Sequence, residues 1–179
     1  MSENAKKELW SWILHVILPV LIVLLLNLFV CKLAIVKGAS MYPTLSDRDL
    51  LLVQMLGYEP QQGDIVVLDF RNLNITQDPM LVKRVIALEG QTVLIDYDND
   101  SVSVDGVPLD EPYLNQADGD PLFGYGQQTY TVPEGCIFVM GDNRNHSNDS
   151  RSFGAVQAST VLGKSIFRIP FGEWFKAAG

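Results

Sequence analysis

The sequence predicts a mainly β protein, in which a single transmembrane helix precedes one largely antiparallel β domain. Two observations predict this class. Residues 10–31 form an apolar stretch that contains no Asp, Glu, Lys or Arg. Beyond residue 40 the apolar residues recur in short runs bounded by turn residues, and no window of about 11 residues keeps a helical period.

The apolar stretch is long enough to cross a bilayer. It runs from Trp10 to Cys31, which as a helix is ~33 Å long at ~1.5 Å per residue, against a hydrocarbon core of about 30 Å. Trp10 and Trp12 lie where an interfacial aromatic belt is expected. The alternative is a cleaved signal peptide, whose apolar region spans about 7–15 residues before a small-x-small site. The longer stretch here leads into Val30-Cys31-Lys32-Leu33, so we expect a retained anchor.

We divide the chain into residues 1–9 as a short cytoplasmic N-terminus, 10–31 as the anchor and 32–179 as an extracytoplasmic domain. The charge rule alone does not decide this orientation. Two lysines, Lys6 and Lys7, precede the helix, and two more, Lys32 and Lys37, follow it closely.

The domain after the anchor is predicted to consist of strands. Residues Asp105-Gly106 separate two alternating runs and favour a tight hairpin. The predicted strand segments are residues 49–53, 63–68, 80–86, 92–97, 101–109, 136–140 and 162–169.

Composition excludes several function classes. The chain carries 13 basic and 21 acidic residues, a net charge of −8, so a nucleic-acid partner would be repelled. Two cysteines and two histidines are too few for a disulfide framework or a metal site of those residues. The sequence implies no cofactor.

The first segment that suggests chemistry is residues 38–45, which read Gly-Ala-Ser-Met-Tyr-Pro-Thr-Leu. Ser40 stands among small residues, ahead of an apolar residue and a turn that proline restricts. It is a candidate nucleophile, although most serines in such loops only satisfy backbone groups.

The second segment places a cation within an apolar strand. Lys83 shares a strand face with Leu81 and Val85, while its neighbour Arg84 shares the other face. Lys83 either extends toward water from an edge strand or is desolvated enough to act as a general base. Burial lowers a lysine pKa by up to about 3–5 units from about 10.4, and serine–lysine pairs are a known variant of serine catalysis.

The third segment is residues 140–154, which are dense in hydrogen-bonding side chains. It reads either as a solvated loop or as a polar network behind a site. A triad of Ser147, His146 and an aspartate is conceivable, but adjacent residues rarely point at each other.

Taken in order, these segments resemble the bacterial type I signal peptidases, in their Gram-positive-like form with a serine–lysine dyad. Residues 38–45 match the nucleophile box and residues 63–66 the following strand box. Residues 83–86 match the general-base box, and residues 141–154 match the last box. An anchor just ahead of the serine completes the pattern.

The resemblance implies a fold and a set of residue roles. The fold would be the antiparallel β domain of signal peptidase I. Ser40 would be the nucleophile, with its backbone N–H in the oxyanion hole, and Lys83 the general base. Met41 would lie beside the site and bind substrate. The supporting residues would be Arg84, Asp142, Ser147, Asp149 and Arg151, of which Ser147 and Asp149 hold the lysine.

Four departures from the family pattern matter for these expectations. Gly38 replaces a serine that assists the oxyanion in some members, and His146 stands where asparagine is common. The base box continues with Ala87 rather than Gly-Pro. The stretch between Lys83 and Gly141 is short, so we expect the second domain of some relatives to be reduced to one hairpin region.

The resemblance further implies a membrane-anchored serine endopeptidase that removes signal peptides from exported preproteins after a small-x-small motif such as Ala-x-Ala. It would lie in the bacterial cytoplasmic membrane, with the N-terminus inside and the catalytic domain outside. Its partners would be secretory preproteins and the lipid bilayer. Two alternatives stay open: an anchored, non-catalytic β domain that binds extracytoplasmic partners, and a processing peptidase dedicated to a pilin or conjugation substrate.

Overall fold

The computed structural model describes residues 3–71, 73, 76, 78–114 and 121–171. The last residues of the predicted 32–179 domain therefore lie outside the described part.

The N-terminal region is helical in three consecutive segments. Helix α1 covers Glu3–Trp12, a π-helical segment covers Ile13–Ile17, and helix α2 covers Leu18–Phe29. The wider turn precedes Pro19, whose ring nitrogen donates no hydrogen bond to the preceding turn.

None of the helices in the described part combines the length and the apolar composition needed to cross a bilayer. The transmembrane anchor stays a prediction. Its predicted C-terminal boundary is shifted, because Cys31 is the first residue of a strand.

Eleven strands are described, and the mainly β prediction is confirmed. Seven form one sheet in the order β1-β2-β11-β3-β4-β9-β10, and four form a second in the order β7-β6-β5-β8, with antiparallel pairing throughout. The strands are β1 Cys31–Ile35, β2 Leu50–Gln54, β3 Ile65–Asp69, β4 Met80–Leu88, β5 Thr92–Asp96, β6 Ser101–Val104, β7 Val107–Pro108, β8 Gln127–Thr131, β9 Cys136–Met140, β10 Val156–Gln157 and β11 Val161–Ile169. A short helix, α3, covers Ser150–Phe153.

Strand β4 lies between β3 and β9 in the larger sheet. Its residue Arg84 pairs with Ile65 on one side and Met140 on the other. Strand β9 is buried along its whole length and leads directly into residues 141–149. The general-base box on β4 and the polar loop after β9 are therefore neighbours because of sheet order.

The smaller sheet is larger than the single hairpin region that we expected. The hairpin at Asp105-Gly106 is present, with φ of +51° and +77°, as a tight two-residue turn requires. Strand β8 pairs with β5 on its other side. Its sequence, Gln-Gln-Thr-Tyr-Thr, carries no aliphatic residue, and for this reason apolar periodicity does not find it.

The core consists of three clusters of buried apolar residues. One lies between the smaller sheet and the end of β4, around Ile86, Ile95 and Phe138. A second lies around Phe70 and Val139. The third packs the turn that contains Ser40 against β2 and β3.

Substitution of Gly163 tests how tightly the strands of the larger sheet pack. A Cβ built at this position would overlap the carbonyl oxygen of Gln54 on the neighbouring strand. We expect Gly163→Ala to lower the free energy of unfolding by about 1–3 kcal/mol, because backbone atoms must move. Thermal unfolding of the purified chain measures this, with Ser101→Ala on an exposed strand position as the control. An unchanged midpoint for Gly163→Ala would contradict the packing described.

Candidate active site

The turn that contains Ser40 connects β1 to β2 and is fixed from both ends. The backbone N–H of Gly38, at φ +80°, donates to Asp47 Oδ1 at 2.8 Å. Leu45 N donates to the Met41 carbonyl at 2.9 Å, and both side chains are buried in the third core cluster. The turn therefore holds the backbone of Ser40 in place while leaving the serine itself only half-buried.

The side chain of Lys83 reaches Ser40 from the centre of β4. Its Nζ donates to Ser40 Oγ at 2.8 Å and to the Val82 carbonyl at 3.0 Å. Lys83 is only 2% exposed, so the alternative of a lysine that extends into water does not describe this structure. The candidate nucleophile and the candidate base are in direct contact.

The burial of Lys83 changes its acidity. Desolvation lowers its pKa from 10.5 to about 8, and the charges of Asp149, Asp78 and Asp142 offset part of this effect. Near pH 7, roughly one Lys83 in ten then carries the neutral amine, against about one in 2,500 for an unperturbed lysine. A neutral amine can accept a proton from a hydroxyl.

Arg84 and Asp142 form a buried ion pair beside the site. Arg84 Nε and Nη2 donate to the two carboxylate oxygens at 2.8 and 2.6 Å, and Nη1 donates to the Gly63 carbonyl at 2.8 Å. Thr44 Oγ1 donates to Asp142 Oδ2 at 2.6 Å. The pair thus links β4, the turn that contains Ser40 and the loop after β9.

Asp149 and Arg151 form a second pair within the loop. Arg151 donates from Nε and Nη2 to the two oxygens of Asp149, at 2.8 and 2.9 Å. Gly141 N donates to Asp149 Oδ2 at 3.0 Å. Burial raises the pKa of the Asp149 carboxyl, but the hydrogen bonds and charge of Arg151 outweigh burial and hold this pKa below its ordinary value.

The same loop holds the backbone of Ser40. Asn143 N donates to the Ser40 carbonyl at 2.9 Å, and Asn143 Nδ2 donates to the Ala39 carbonyl at 3.0 Å. Sequence reasoning gave Asn143 no role, although it lies in the matched box. The only sequence feature that could have suggested such a role is its position in the matched box, two residues after Gly141.

The structure does not show the contacts that we expect of Ser147 and Met41. The Ser147 hydroxyl is buried and forms no hydrogen bond of ordinary geometry with any described residue, although it helps to lower the pKa of Asp149. It does not contact Lys83 Nζ through a hydrogen bond. Met41 is 1% exposed and packs in the core, so its contact with substrate stays a prediction.

The triad of Ser147, His146 and an aspartate is not assembled. The His146 ring nitrogen Nδ1 lies 3.2 Å from Asn143 Oδ1.

A cavity of about 500 Å³ opens onto the contact between Ser40 and Lys83. Sequence reasoning did not identify Asp78 and Thr76, which precede β4, as part of this rim. The cavity is lined by Lys37, Gly38, Ala39, Ser40, Thr76, Asp78, Leu81, Lys83, His146 and Asn148. Within the part of the chain that the structure describes, no three His, Cys, Asp or Glu side chains are grouped as a metal site.

Comparison with known proteins gives a consistent result. The family model described as "Signal peptidase, peptidase S26" matches residues 9–170. Signal peptidase IB of Staphylococcus aureus is 36% identical over 186 aligned residues, which cover 94% of each chain. The probable signal peptidase I-1 of Synechocystis sp. is 40% identical over 159 residues, which cover 84% of this chain and 78% of that relative.

Among solved structures, the crystal structure of a signal peptidase I from Enterococcus faecalis V583 is similar, with 34% sequence identity and a TM-score of 0.49. The match covers 60% of this chain and 97% of that one.

The ionisation of Lys83 can be measured directly. We expect its side chain to titrate near pH 8, while exposed lysines titrate near their ordinary value of about 10.4, because burial disfavours the ammonium. The measurement is an NMR titration of the full chain labelled with ¹³C and ¹⁵N at lysine. The signal missing from the Lys83→Met variant assigns the residue. Titration of every lysine above pH 10 would contradict the lowered pKa.

Proposed function

Since the chain belongs to the bacterial type I signal peptidases, peptidase family S26, and is therefore a signal peptidase, we propose that it cleaves with a Ser40–Lys83 dyad. Ser40 attacks the scissile carbonyl, and Lys83 is the general base. The substrate is an exported preprotein, and the cut follows a small-x-small motif such as Ala-x-Ala.

The observation that carries this proposal is the 2.8 Å contact between Lys83 Nζ and Ser40 Oγ. The distance is within the range needed for direct proton transfer. Burial lowers the lysine pKa to about 8, which brings the base close to a neutral working pH. An anchored β domain that only binds partners has no use for a buried lysine held against a serine.

The reaction has two steps, acylation of Ser40 and hydrolysis of the acyl-serine ester. Neutral Lys83 takes the Ser40 hydroxyl proton as Oγ bonds to the substrate carbonyl carbon. The tetrahedral intermediate collapses when the Lys83 ammonium gives that proton to the leaving amine, and the C–N bond breaks. Water then attacks the carbonyl carbon of the acyl-serine ester while neutral Lys83 takes a water proton. The ester C–O bond breaks, and the Lys83 ammonium returns the proton to Ser40 Oγ.

The supporting residues orient the dyad in this proposal. The pairs Arg84–Asp142 and Asp149–Arg151 fix the loop that holds the Ser40 carbonyl through Asn143. The Ser40 backbone N–H supplies an oxyanion donor, which acts only if its position is fixed before the charge develops. Ser147 lies beside Asp149 and is available to hydrogen-bond the lysine once substrate fills the cavity.

The rim of the cavity suits a substrate with small side chains. Gly38 and Ala39 line it directly beside Ser40, so a substrate backbone can approach the nucleophile closely. Leu81 of β4 adds an apolar side chain to the same lining.

The predicted anchor places the enzyme at the cytoplasmic membrane, with residues 1–9 inside and the catalytic domain outside. An exposed apolar face of the larger sheet supports contact with lipid. Leu33 of β1 and Phe167 of β11 both pair with Leu52, and Ile35 and Ile169 both pair with Leu50, which gives two apolar rows. This face begins directly after helix α2.

The dyad is tested by paired substitutions. We expect Ser40→Ala and Lys83→Met to lose at least about 10³-fold in kcat/KM, because one removes the nucleophile and the other its base. Cleavage of a preprotein ending its signal region in Ala-x-Ala is followed by mass spectrometry of the detergent-solubilised proteins. Ser101→Ala and Lys32→Met are the matched controls, and folding is checked by thermal unfolding. Cleavage by both dyad variants at the wild-type rate would place the chemistry elsewhere.

The pH dependence has a defined direction. Because the free enzyme must carry neutral Lys83, we expect kcat/KM to rise about tenfold per pH unit and to level off above about pH 8. The Asp78 charge raises the pKa of Lys83, so Asp78→Asn should move this limb to lower pH. A limb that moves to higher pH, or a profile that is flat between pH 6 and 9, would contradict Lys83 as the base.

A further inference from the structure

The segment that follows β7 leaves the smaller sheet and reaches the loop after β9. It carries Glu111 and Tyr113, which lie in none of the motifs identified in the sequence. Both side chains contact arginines that belong to the network around the active site.

Glu111 binds Arg144 with both carboxylate oxygens. Arg144 Nη1 donates to Oε2 at 3.0 Å, and Nη2 donates to Oε1. The side chains are only 10% and 6% exposed. The remaining donor, Arg144 Nε, bonds to the Gly141 carbonyl at 3.1 Å, so Glu111 orients the side chain that holds Gly141.

Tyr113 connects this pair to the second arginine. Its hydroxyl donates to Glu111 Oε1 at 2.7 Å. Its ring lies under the guanidinium of Arg84, 3.7 Å from the Cζ atom to the ring centroid, where a cation and an aromatic face attract each other. Arg84 in turn binds Asp142.

Gly141 is where these contacts approach the reacting atoms. A Cβ built on Gly141 would overlap the carbonyl oxygen of Ser40 and Oγ of Ser147. Two residues further, Asn143 N donates to the same Ser40 carbonyl. A shift of Gly141 therefore displaces the backbone of the nucleophile.

We propose that Glu111 and Tyr113 are positioning residues for catalysis, which hold Arg144 and Arg84 so that the loop after β9 fixes Ser40 against Lys83. This inference rests on the proposed function of the dyad. The smaller sheet then contributes to the geometry of the active site, because the segment that follows β7 holds the loop after β9 in position.

The energetics of buried ion pairs favour a positioning role over a purely stabilising one. Desolvation of two charges cancels much of their attraction, so such a pair adds little net stability compared with apolar residues of the same volume. What the bidentate geometry provides is a fixed direction. A misplacement of about 1 Å at a reacting group can cost about 10²-fold in rate.

The test separates rate from binding and from folding. The variants are Glu111→Gln, which removes the charge but keeps the shape; Tyr113→Phe, which removes only the hydroxyl; and Tyr113→Leu, which also removes the ring. The control is Tyr97→Phe, because the Tyr97 hydroxyl is also hydrogen-bonded, to Gln128 at 3.3 Å, within the smaller sheet. Values of kcat and KM are measured per folded molecule, well below the unfolding midpoint, on the Ala-x-Ala preprotein.

We expect Glu111→Gln and Tyr113→Leu to lower kcat by about 10- to 100-fold, with KM within about threefold. Tyr113→Phe should retain more activity than Tyr113→Leu, because the ring still supports Arg84, and the pH limb of Tyr113→Phe should coincide with that of wild type. Tyr97→Phe should match wild type.

Wild-type kcat per folded molecule in Glu111→Gln and Tyr113→Leu would overturn the positioning role while leaving the dyad intact. The positioning role would also be overturned if the loss of total activity were fully explained by a smaller folded fraction. If Glu111→Gln does not fold, the comparison of Tyr113→Phe with Tyr113→Leu decides. Cleavage by Ser40→Ala at the wild-type rate would instead reject the proposed function, and the positioning role with it.

Discussion

The burial of one lysine is the constraint on which the rest of the site depends. The pKa of Lys83 is lowered by desolvation from 10.5 to about 8, so the unfolded chain binds more protons than the folded chain between these values. The free energy of unfolding therefore rises with pH across that window, and below pH 8 the buried ammonium costs roughly 3 kcal/mol. The three apolar clusters must offset this cost, and in return the base is partly neutral near pH 7.

The two arginine–aspartate pairs explain why the lysine keeps this low pKa. The charges of Asp149 and Asp142 both raise the pKa of Lys83, and either carboxylate left alone would favour an ion pair with the ammonium. Arg151 and Arg84 instead occupy the oxygens of these carboxylates. The carboxylates can then organise the loop through hydrogen bonds without holding the lysine in its charged form.

Local patterns in the sequence predict β2 to β7, β9 and β11, which carry the longer apolar runs, and the hairpin at Asp105-Gly106. They do not predict β8, which has no aliphatic residue, or the pairing of Cys31 with β2, because the apolar run of the helix continues into that strand. In the site, Lys83 stands out because a lysine in an apolar strand conflicts with local expectation, whereas Ser40 is assigned through the resemblance of residues 38–45 to the nucleophile box. Glu111 has no such conflict, since a glutamate in a loop is ordinary until the fold brings Arg144 to it.

The geometry of the dyad depends on the polar loop after β9 as well as on Ser40 and Lys83 themselves. A solvated loop of this composition would satisfy its groups with water and would hold the Ser40 carbonyl only weakly. Here Gly141 is bonded at its N–H by Asp149 and at its carbonyl by Arg144, and its missing side chain leaves room for Ser40 and Ser147. Ordering this loop costs about 1–2 kcal/mol per residue in backbone entropy, which internal hydrogen bonds must offset. The position of the nucleophile thus depends on buried polar contacts that extend from β4 to the smaller sheet.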